Sequence, residues 1–432
     1  MRDSFDRQSR YGIWLWFAAS ISIFPLFPVL GALGLFIANI RIWVLNRRQI
    51  IADRVNRGLG VLTILLVISS IFAQQPQEAG LGLANFLPFF WLFVGVRELI
   101  DRPIQLKQLS WLLILPSVAI AILGFGQLYG GWDTPALLES ILGWELVPGG
   151  VPASRMSSVF IYTNFLAIYL AIAIALALGL WLDSWQAWQQ KSKDKQALVL
   201  LSLTAILSID LGGLILTSSR NAWGLVIVSF LAYALYLGWY WLVYGVMGAA
   251  AAILWAAFAP NIGGRQLRII VPAFFWERLS DTAYDRPIET LRITQWQFCW
   301  ELIEQRPILG WGLRNFSPLY EAQTNYWFGH PHSLFLMLGA EAGIIAVFLL
   351  IAIVGWIMYR ASLLLVCWSH KKFKLIYFSY LVAFANCVLF NLLDVTIFDL
   401  RVNTISWIIL AAISGIAGAK LNINNSPQAI DG

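Results

Sequence analysis

Phe165-Leu-Ala-Ile-Tyr-Leu-Ala-Ile-Ala-Ile-Ala-Leu-Ala-Leu-Gly-Leu-Trp-Leu182 is an apolar run without a single charged side chain. A helix needs about 20 apolar residues to cross the hydrocarbon layer of a membrane. Comparable runs recur near residues 12–27, 28–46, 58–75, 80–97, 108–127, 158–182, 197–216, 221–238, 240–259, 333–359, 375–393 and 402–420. The pattern predicts an all-α, polytopic membrane helix bundle of about twelve transmembrane helices, built as a single integral membrane domain over residues 1–432.

The composition agrees with this class. Hydrophobic residues make up 59% of the chain and charged residues 12%, whereas soluble domains carry about 25% charged residues. The net charge of +6 does not predict a nucleic-acid partner, because the cationic residues are sorted between the two sides of the bundle. Cys299, Cys367 and Cys387 have no motif spacing and predict neither a disulfide nor a zinc site. The charged residues 1–10 lead into the first run without a cleavage site, which predicts a retained anchor.

The distribution of lysine and arginine predicts the orientation. About 19 of these residues fall on one side of the predicted bundle and about 10 on the other. The richer side is predicted to be cytoplasmic, which places both termini inside and the protein in the cytoplasmic (inner) membrane. The outer side carries arginines and no lysine. The planar guanidinium group is suited to bidentate recognition of phosphate, so this bias suggests a phosphorylated substrate on the outer side.

The longest polar segment, residues 261–332, is predicted to form a large extracytoplasmic loop with short amphipathic helices. It contains seven arginines and two of the three histidines. From Pro287 to Ile303, the residues Ile293, Trp296, Trp300 and Ile303 recur at helical spacing, which predicts a helix lying at the membrane interface. Pro307-Ile-Leu-Gly-Trp-Gly312 follows it and predicts a tight turn.

Two arginines are candidates for binding an anion. Arg220 lies in Thr217-Ser-Ser-Arg-Asn-Ala-Trp223, where one apolar span ends and the next begins. Donors gathered at a helix N-terminus favour an anion site; alternatively, Arg220 extends to the headgroups or pairs with Asp210. Arg292 begins the amphipathic helix. Alone it would be a solvated charge, but its position beside Trp296 and the following turn favours a binding role.

His332 directly precedes an apolar span and is the candidate catalytic base. Imidazole is the side chain best suited to accept a proton from a hydroxyl group near neutral pH. An interfacial histidine bonded to backbone is the alternative, and His330 is the competing base. Two histidines at this spacing also suit a metal, but no carboxylate or cysteine clusters with them in the sequence. We therefore predict no metal site and no cofactor.

Four further polar positions are candidates for supporting roles. Arg155 lies at the outer entry of a span, and Asn164 follows one or two turns inside it, with either a binding or a packing role. Glu341 is expected about two turns below His332, where it either hydrogen-bonds into the site or joins helices. Asp394, with Asp399 and Arg401, is interpreted as part of a plain ion pair at the outer end.

Several motifs in order resemble the O-antigen ligase and polymerase superfamily. The resemblance rests on Thr217-Ser-Ser-Arg-Asn-Ala-Trp223, on the pair Arg292 and Trp296, on Pro307-Ile-Leu-Gly-Trp-Gly-Leu-Arg-Asn-Phe316 and on His330-Pro-His-Ser-Leu-Phe-Leu336. The segment with Arg155 and Asn164 is similar more loosely. The likeness covers mainly residues 150–345. The chain departs from the family at Ser333, where an asparagine usually follows the histidine.

This resemblance implies a metal-independent membrane glycosyltransferase of lipopolysaccharide or polysaccharide biosynthesis. Its donor would be a glycan linked to undecaprenyl diphosphate, used outside the cytoplasmic membrane, and its acceptor a glycan or a lipid. By motif, Arg220 and Arg292 match the family arginines that hold the diphosphate, and His332 matches the histidine that activates the acceptor hydroxyl. Whether the enzyme is a ligase or a polymerase stays open.

Two other classes of function are compatible with a membrane bundle. A transporter of a small anion such as bicarbonate would place its binding residues near the membrane midplane on broken helices. A structural partner in an envelope-polysaccharide complex would need no arginine and histidine set. The candidate arginines lie at the outer rim of the predicted bundle, which favours the enzyme.

Overall fold

The apolar runs fold as helices, because a backbone surrounded by hydrocarbon must satisfy its hydrogen bonds within its own segment. A computed structural model describes residues 2–190, 193–280, 287–368 and 373–424. Over these ranges the regular structure is helical, apart from one isolated bridge between Gly150 and Arg155. Lys191 and Arg286, which are included in the counts of lysine and arginine above, and His370, the third histidine of the chain, lie outside the described ranges.

The α-helices of the described residues are numbered in chain order. They are α1 Arg2–Ile23, α2 Pro28–Ala52, α3 Arg54–Ile71, α4 Pro76–Gly82, α5 Leu87–Leu99, α6 Pro103–Tyr129, α7 Ala136–Leu142, α8 Thr163–Gln190, α9 Lys193–Leu216, α10 Arg220–Leu237, α11 Tyr240–Phe258, α12 Arg265–Ile270, α13 Ala273–Ser280, α14 Arg292–Gln305, α15 Phe316–Thr324, α16 Leu334–Ala342, α17 Ile344–Cys367, α18 Lys374–Leu393 and α19 Leu400–Asn424.

The predicted polytopic all-α bundle is confirmed. Eleven helices within the described ranges are long and apolar enough to cross a membrane. The remaining predicted span, 12–27, falls on α1, which is not among them. α1 carries charges in its first ten residues and ends at Ile23, just before Pro25. Because proline cannot continue a helix, the rest of this apolar run forms the connection to α2.

α8, which contains the run Phe165–Leu182, lies at the centre of the bundle. It packs against α6, α9, α10 and α18. Of the residues in its most apolar 18-residue stretch, 89% are buried. Small residues allow this close packing: a Cβ added at Gly179 would lie 2.4 Å from the Cβ of Ser379 in α18. The hydroxyl group of Tyr233 in α10 donates to the Ala175 carbonyl at 2.8 Å. The most apolar stretch of the sequence therefore forms the bundle core.

Small residues in two apolar runs, Gly248-Ala-Ala-Ala-Ala252 and Gly415-Ile-Ala-Gly418, predict close helix packing within the bundle, and the structure agrees with this for one of them. Gly415 in α19 does pack closely, since a Cβ there would lie 2.5 Å from the Arg97 carbonyl oxygen. For Gly248-Ala-Ala-Ala-Ala252 the prediction is wrong. α11 lies at the edge of the bundle, since only 11% of the residues in its most apolar 18-residue stretch are buried. A Cβ added at Gly248 would meet nothing within 4 Å.

Asp210 is a fully buried carboxyl group in α9. Its partner is Ser117 of α6, whose Oγ lies 2.7 Å from Asp210 Oδ2 and also 2.7 Å from the Ile114 carbonyl oxygen. A hydroxyl group has one hydrogen, so it can donate to only one of these oxygens; donation to Ile114 leaves Asp210 to supply the hydrogen for the other bond. This bond joins α6 to α9, and the suggested pairing of Asp210 with Arg220 gains no support from it.

The predicted span 333–359 is broken in the structure. α16 ends at Ala342 and α17 begins at Ile344, with Gly343 between them at φ 83° and ψ 163°. The break makes room for another chain segment, because a Cβ at Gly343 would lie 2.0 Å from the Ile308 carbonyl oxygen. The backbone N–H of Ile344 donates to the Pro307 carbonyl oxygen at 2.8 Å. Residues 307–312 thus dock into the gap between α16 and α17.

The segment 261–332 contains short helices, as predicted, in its described parts. The predicted helix Pro287–Ile303 is observed as α14, beginning at Arg292. Its buried face is formed by Gln295, Phe298, Cys299, Leu302 and Ile303, whereas Ile293 and Trp300 are exposed. The predicted apolar stripe therefore shares only Ile303 with the buried face. On that face, the ring of Phe298 packs against the rings of Phe316 and Tyr320.

We predict that Gly343→Ala destabilises the protein by about 2 kcal/mol or more, because an alanine resists positive φ and its Cβ would collide with the Ile308 carbonyl. The matched control is Gly60→Ala in α3, where a Cβ meets nothing within 4 Å. Thermal unfolding of the purified protein in detergent measures both. Equal midpoints for Gly343→Ala and the native protein would contradict the account of this break.

Candidate active site

His332 holds an uncommon backbone conformation just before α16. Its φ of 55° lies in the left-handed region, which few residues other than glycine occupy, although histidine is among those enriched there. The preceding loop is held in place by Trp296, whose indole N–H donates to the Pro331 carbonyl oxygen at 2.9 Å. Strained backbone of this kind persists only where its surroundings impose it, and it clusters at functional sites.

Asp394 is the partner of His332. It follows the last residue of α18 and is 3% exposed. Its Oδ1 lies 3.3 Å from Nδ1 of His332 and accepts the backbone N–H of Val395 at 2.9 Å. Its Oδ2 accepts the side-chain amide of Asn164 at 2.6 Å. The loop after α18 therefore delivers a buried carboxylate to the candidate base.

The suggested ion pair of Asp394 with Asp399 and Arg401 is not what the structure contains. Asp399 accepts the backbone N–H groups of Arg401 and Val402 and so caps α19. The Arg401 guanidinium lies over the ring of Phe160 at 4.5 Å. Asp394 instead contacts His332, whereas the charges of Asp399 and Arg401 attract each other without it.

The protonation states of this cluster follow from its contacts. Burial alone would raise the pKa of Asp394, but the hydrogen bond from His332 and the charges of both histidines hold it below its usual value. Burial lowers the pKa of His330 to about 4, an effect that Asp394 opposes and that His332 and Arg292 reinforce. Near neutral pH, Asp394 is therefore ionised and His330 is neutral.

An ionised Asp394 also decides the tautomer of His332. A carboxylate accepts hydrogen bonds only, so Nδ1 of His332 carries a hydrogen and donates it to Oδ1. Nε2 of the neutral ring then carries a lone pair and can accept a proton. His330 plays a different part, since its Nδ1 accepts the backbone N–H of His332 at 3.2 Å and its ring stacks on Phe398. The geometry favours His332 over His330 as the base.

Arg155 and Asn164, predicted as supporting residues, are joined to this cluster. Arg155 donates from a terminal nitrogen to Asn164 Oδ1 at 3.3 Å and from Nε to the Thr217 carbonyl oxygen at 2.8 Å. The side-chain amide of Asn164 in turn donates to Asp394 Oδ2. A continuous series of hydrogen bonds thus runs from Arg155 through Asn164 and Asp394 to His332. Its members come from four separate parts of the chain.

Arg220 lies three residues beyond Thr217, at the first position of α10, and is exposed. The neighbouring Asn221 donates to the Phe390 carbonyl oxygen at 3.1 Å, which fixes this end of α10 against α18, one turn before Asp394. The structure thus places Arg220 at the same end of the bundle as the histidine cluster. We call this end the site end. Direct participation of Arg220 in one pocket with His332 stays a prediction.

Arg292 is the first residue of α14 and is exposed. One turn later, Trp296 binds Pro331, between the two histidines in sequence. The charge of Arg292 contributes to the lowered pKa of His330. Arg292 therefore lies within electrostatic reach of the cluster, and its role in binding substrate stays a prediction.

The turn Pro307–Gly312 is hydrogen-bonded to α16, the helix that follows His332. The N–H groups of Trp311 and Gly312 donate to the carbonyl oxygens of Ala340 and Glu341, at 2.9 and 2.8 Å. Gly312 has a φ of 103°, and a Cβ there would lie 2.2 Å from the Cβ of Ala73, next to α3. This turn anchors the segment 261–332 to the bundle through backbone contacts.

Glu341 belongs to this anchor. Its side chain is 2% exposed and accepts the backbone N–H of Phe316 at 3.2 Å. Its own carbonyl oxygen accepts Ser69 Oγ at 3.0 Å. Of the two interpretations of Glu341, these contacts support the one in which it joins segments. Any direct role in the site stays a prediction.

The expectation that no carboxylate accompanies the two histidines is wrong. Donor atoms of His330, His332 and Asp394 all lie within 4.8 Å of one another, because folding closes a gap of 62 residues between His332 and Asp394. However, Nδ1 of His330 accepts a backbone N–H, which leaves the hydrogen on Nε2, the atom facing Asp394. A metal at Nε2 would need that hydrogen moved to Nδ1, against the N–H group. The arrangement suits a hydrogen-bonded cluster better than a metal site.

Residues 203–351 match the family described as O-Antigen ligase. The match supports membership of the O-antigen ligase and polymerase superfamily. A comparison with curated proteins found no match. The match to this family supports a function of the O-antigen ligase or polymerase type, that of a membrane glycosyltransferase in polysaccharide biosynthesis. It also implies that the substrates are lipid-linked glycans in a membrane.

The ligase-family match includes Arg220, Arg292, Glu341 and both histidines, but it ends before Asp394. Sequence reasoning likewise missed the part that Asp394 plays. One signal for this contact is present in the sequence. Asp394 lies at the predicted outer end of one span, and Arg155 and Asn164 lie at the predicted outer end of another. Pairing polar residues across span ends would have suggested the contact.

We predict that stability falls as the pH is lowered from about 6.5 to 4, by up to about 3 kcal/mol from His330 alone. In this window the unfolded His330 binds a proton and the folded one does not, so folding is disfavoured as pH falls. His330→Gln, which keeps an acceptor for the His332 N–H, removes this dependence. Thermal unfolding in detergent between about pH 4.5 and 7 measures it. An unchanged slope in His330→Gln, equal to that of the control His370→Gln, would contradict the assignment.

Proposed function

We propose that this protein transfers a glycan from an undecaprenyl-diphosphate carrier to a hydroxyl group of an acceptor, on the outer side of the cytoplasmic membrane. In this proposal both termini lie in the cytoplasm and the site end faces outwards. The observation that carries it is the hydrogen-bonded series from Arg155 to His332, which holds an imidazole with a free Nε2 at the end of the bundle. The match to the O-Antigen ligase family supports the substrate class.

In the proposed step, Nε2 of His332 accepts the proton of the acceptor hydroxyl group. At the same time, the oxygen of that hydroxyl group forms a bond to the anomeric carbon of the donor. The bond between that carbon and the diphosphate oxygen breaks, and its electron pair leaves with the diphosphate. The products are the glycosylated acceptor and polyprenyl diphosphate, and the proton leaves His332 to solvent. Asp394 holds Nδ1–H and balances the charge of the imidazolium that forms.

Arg220 and Arg292 are proposed to bind the diphosphate. Each is the first residue of its helix, and neither α10 nor α14 has a side-chain cap from the preceding Ser219 or Leu291. The free N–H groups and the dipole of a helix N-terminus attract anions. Together with two guanidinium groups they supply the positive charge that a leaving diphosphate needs, so the proposed step requires no metal.

We expect His332→Ala to lower transfer by about a thousandfold, because the acceptor hydroxyl loses its base. The control is His370→Ala, at the third histidine of the chain. The envelope glycans of a deletion strain complemented with each variant show the effect, with membrane content of the protein checked in parallel. Normal glycans with His332→Ala would remove the basis of the proposal. Shortened chains in the deletion strain indicate a polymerase, and missing attachment indicates a ligase.

Arg220→Lys is expected to reduce kcat/KM for the donor at least tenfold, since a point charge cannot make the two parallel bonds of a guanidinium group. Arg265→Lys, at an exposed position of α12 in the segment 261–332, is the control for an exposed arginine at a helix start and should behave as the native protein. Full activity of Arg220→Lys would mean that the charge alone matters. Flux of an anion such as bicarbonate in sealed vesicles without any lipid-linked sugar would replace the enzyme by a transporter.

A further inference from the structure

The side chain of Gln295, on the buried face of α14, has an amide group without a hydrogen-bond partner. The residue is 0% exposed, and neither Oε1 nor Nε2 is bonded to any described residue. Four other buried polar atoms of the described residues share this property, one each in Asn39, Trp188, Asp210 and Trp276. Gln295 is the residue that leaves both a donor and an acceptor unpaired. Burying polar groups in this way destabilises a fold, so the glutamine requires an explanation.

A second buried glutamine shows how this protein pairs an amide whose role is structural. Gln127 in α6 is also 0% exposed. Its Oε1 accepts the backbone N–H groups of Ser157 and Ser158 at 3.1 and 2.8 Å, and its Nε2 donates to Ser157 Oγ at 3.1 Å. Gln295 has no such bonds, although an apolar side chain of similar length would fill its place without the cost. Packing therefore does not account for this glutamine, and its amide indicates a partner from outside the chain.

Gln295 lies between the residues that the proposed function assigns to the donor and to the base. It follows Arg292 by one helical turn, so the two side chains are on the same face of α14. It directly precedes Trp296, whose indole binds the Pro331 carbonyl oxygen. In a diphosphate-linked donor, the sugar with the anomeric carbon is the group attached to the diphosphate. That sugar must reach from Arg292 to His332, which brings it to the part of α14 that carries Gln295.

The two unpaired amide atoms restrict the chemistry of the partner. Nε2 donates and Oε1 accepts, so the partner must offer both an acceptor and a donor. An ionised phosphate offers acceptors only and would leave Oε1 unpaired, and a hydrocarbon chain offers neither. A hydroxyl group can both donate and accept. Two neighbouring hydroxyl groups of a sugar ring therefore match the two atoms of one amide.

A ligand reaches Gln295 only if a covering segment moves, because no water-sized space adjoins the residue in this structure. The loop 325–329, between α15 and α16, is the segment suited to this movement. Its residues 327–329 make no backbone–backbone hydrogen bond to any described residue. The loop is held instead by the ring of Phe328, which packs on Tyr320 at 5.9 Å, and Tyr320 packs in turn on the buried face of α14. Segments with few hydrogen bonds open at low cost in free energy.

We propose that Gln295 binds the sugar next to the diphosphate of the donor, with Nε2 donating to one ring hydroxyl and Oε1 accepting from its neighbour. The loop 325–329 moves aside when the sugar enters. The inference rests on the proposed function, which supplies the diphosphate-linked donor. It assigns recognition of the donor sugar to Gln295, a task separate from holding the diphosphate and from accepting the proton.

The first test asks whether the amide is unpaired in the folded protein. Gln295→Met keeps the length of the side chain and removes the amide. We expect its midpoint of thermal unfolding in detergent to rise by about 2 °C or more, because an unpaired buried group is lost. Gln127→Met, which breaks the bonds to Ser157 and Ser158, is the control and should lower the midpoint. An unchanged or lower midpoint for Gln295→Met would mean that the amide is paired within the fold, and would overturn the inference.

The second test measures how two lipids bind to the protein in detergent: a polyprenyl diphosphate, and the same lipid carrying one glucose residue. Calorimetric titration without an acceptor gives both dissociation constants. We expect the native protein to bind the sugar-bearing lipid about tenfold more tightly than the bare diphosphate. Gln295→Met is expected to lose this preference and to bind the bare diphosphate as the native protein does. Gln297→Met, the same change at an exposed position two residues along α14, should keep the native preference.

The outcomes of the titration separate this inference from the proposed function. Retention of the sugar preference by Gln295→Met, or equal weakening of its binding to both lipids, overturns the inference and leaves the function standing. Equal binding of the two lipids by the native protein does the same. If the native protein binds neither lipid, the proposed function fails, and the inference fails with it.

Discussion

A buried carboxylate, Asp394, is the constraint on which the site end depends. An ionised group taken out of water is costly unless donors surround it. Here the donors come from Asn164 in α8, from His332 in the loop before α16, and from the backbone of Val395. To supply them, α8, α18 and the segment 261–332 must converge at one point. The electrostatic requirement of a single side chain therefore ties the core of the bundle to its most polar loop.

The segment 261–332 reaches this point because backbone contacts anchor it before and after α15. The turn Pro307–Gly312 fills the break at Gly343 and bonds to α16, and Trp296 of α14 holds Pro331. The contacts are mainly to backbone groups, which do not change with rotamer. The loop carrying His332 is thus held in a left-handed conformation that it would not adopt alone. Rigid support of this kind is what orientation of a catalytic base requires.

The class of fold and several site residues could be predicted, and the reasons differ. Long apolar runs predict spans because hydrocarbon leaves a helix no alternative. Arg155 and Asn164 drew attention because polar groups at the ends of spans are costly, and they do join the cluster. By contrast, Asp394 was assigned to Asp399 and Arg401 by nearness in sequence. The broken span at Gly343 was interpreted as continuous, because nothing in the local pattern shows that Ile308 will pass there.

The sequence by itself determined which segments are helical and apolar, since these properties depend on neighbouring residues and on the solvent that a membrane provides. It also determined the kinds of side chain available in the segment 261–332: arginines, two histidines and the glycines of a turn. Only the tertiary structure decided that Asp394 pairs with His332 and which nitrogen of that ring is free. Those properties depend on contacts between residues 62 or more positions apart, and no local pattern encodes the packing that brings them together.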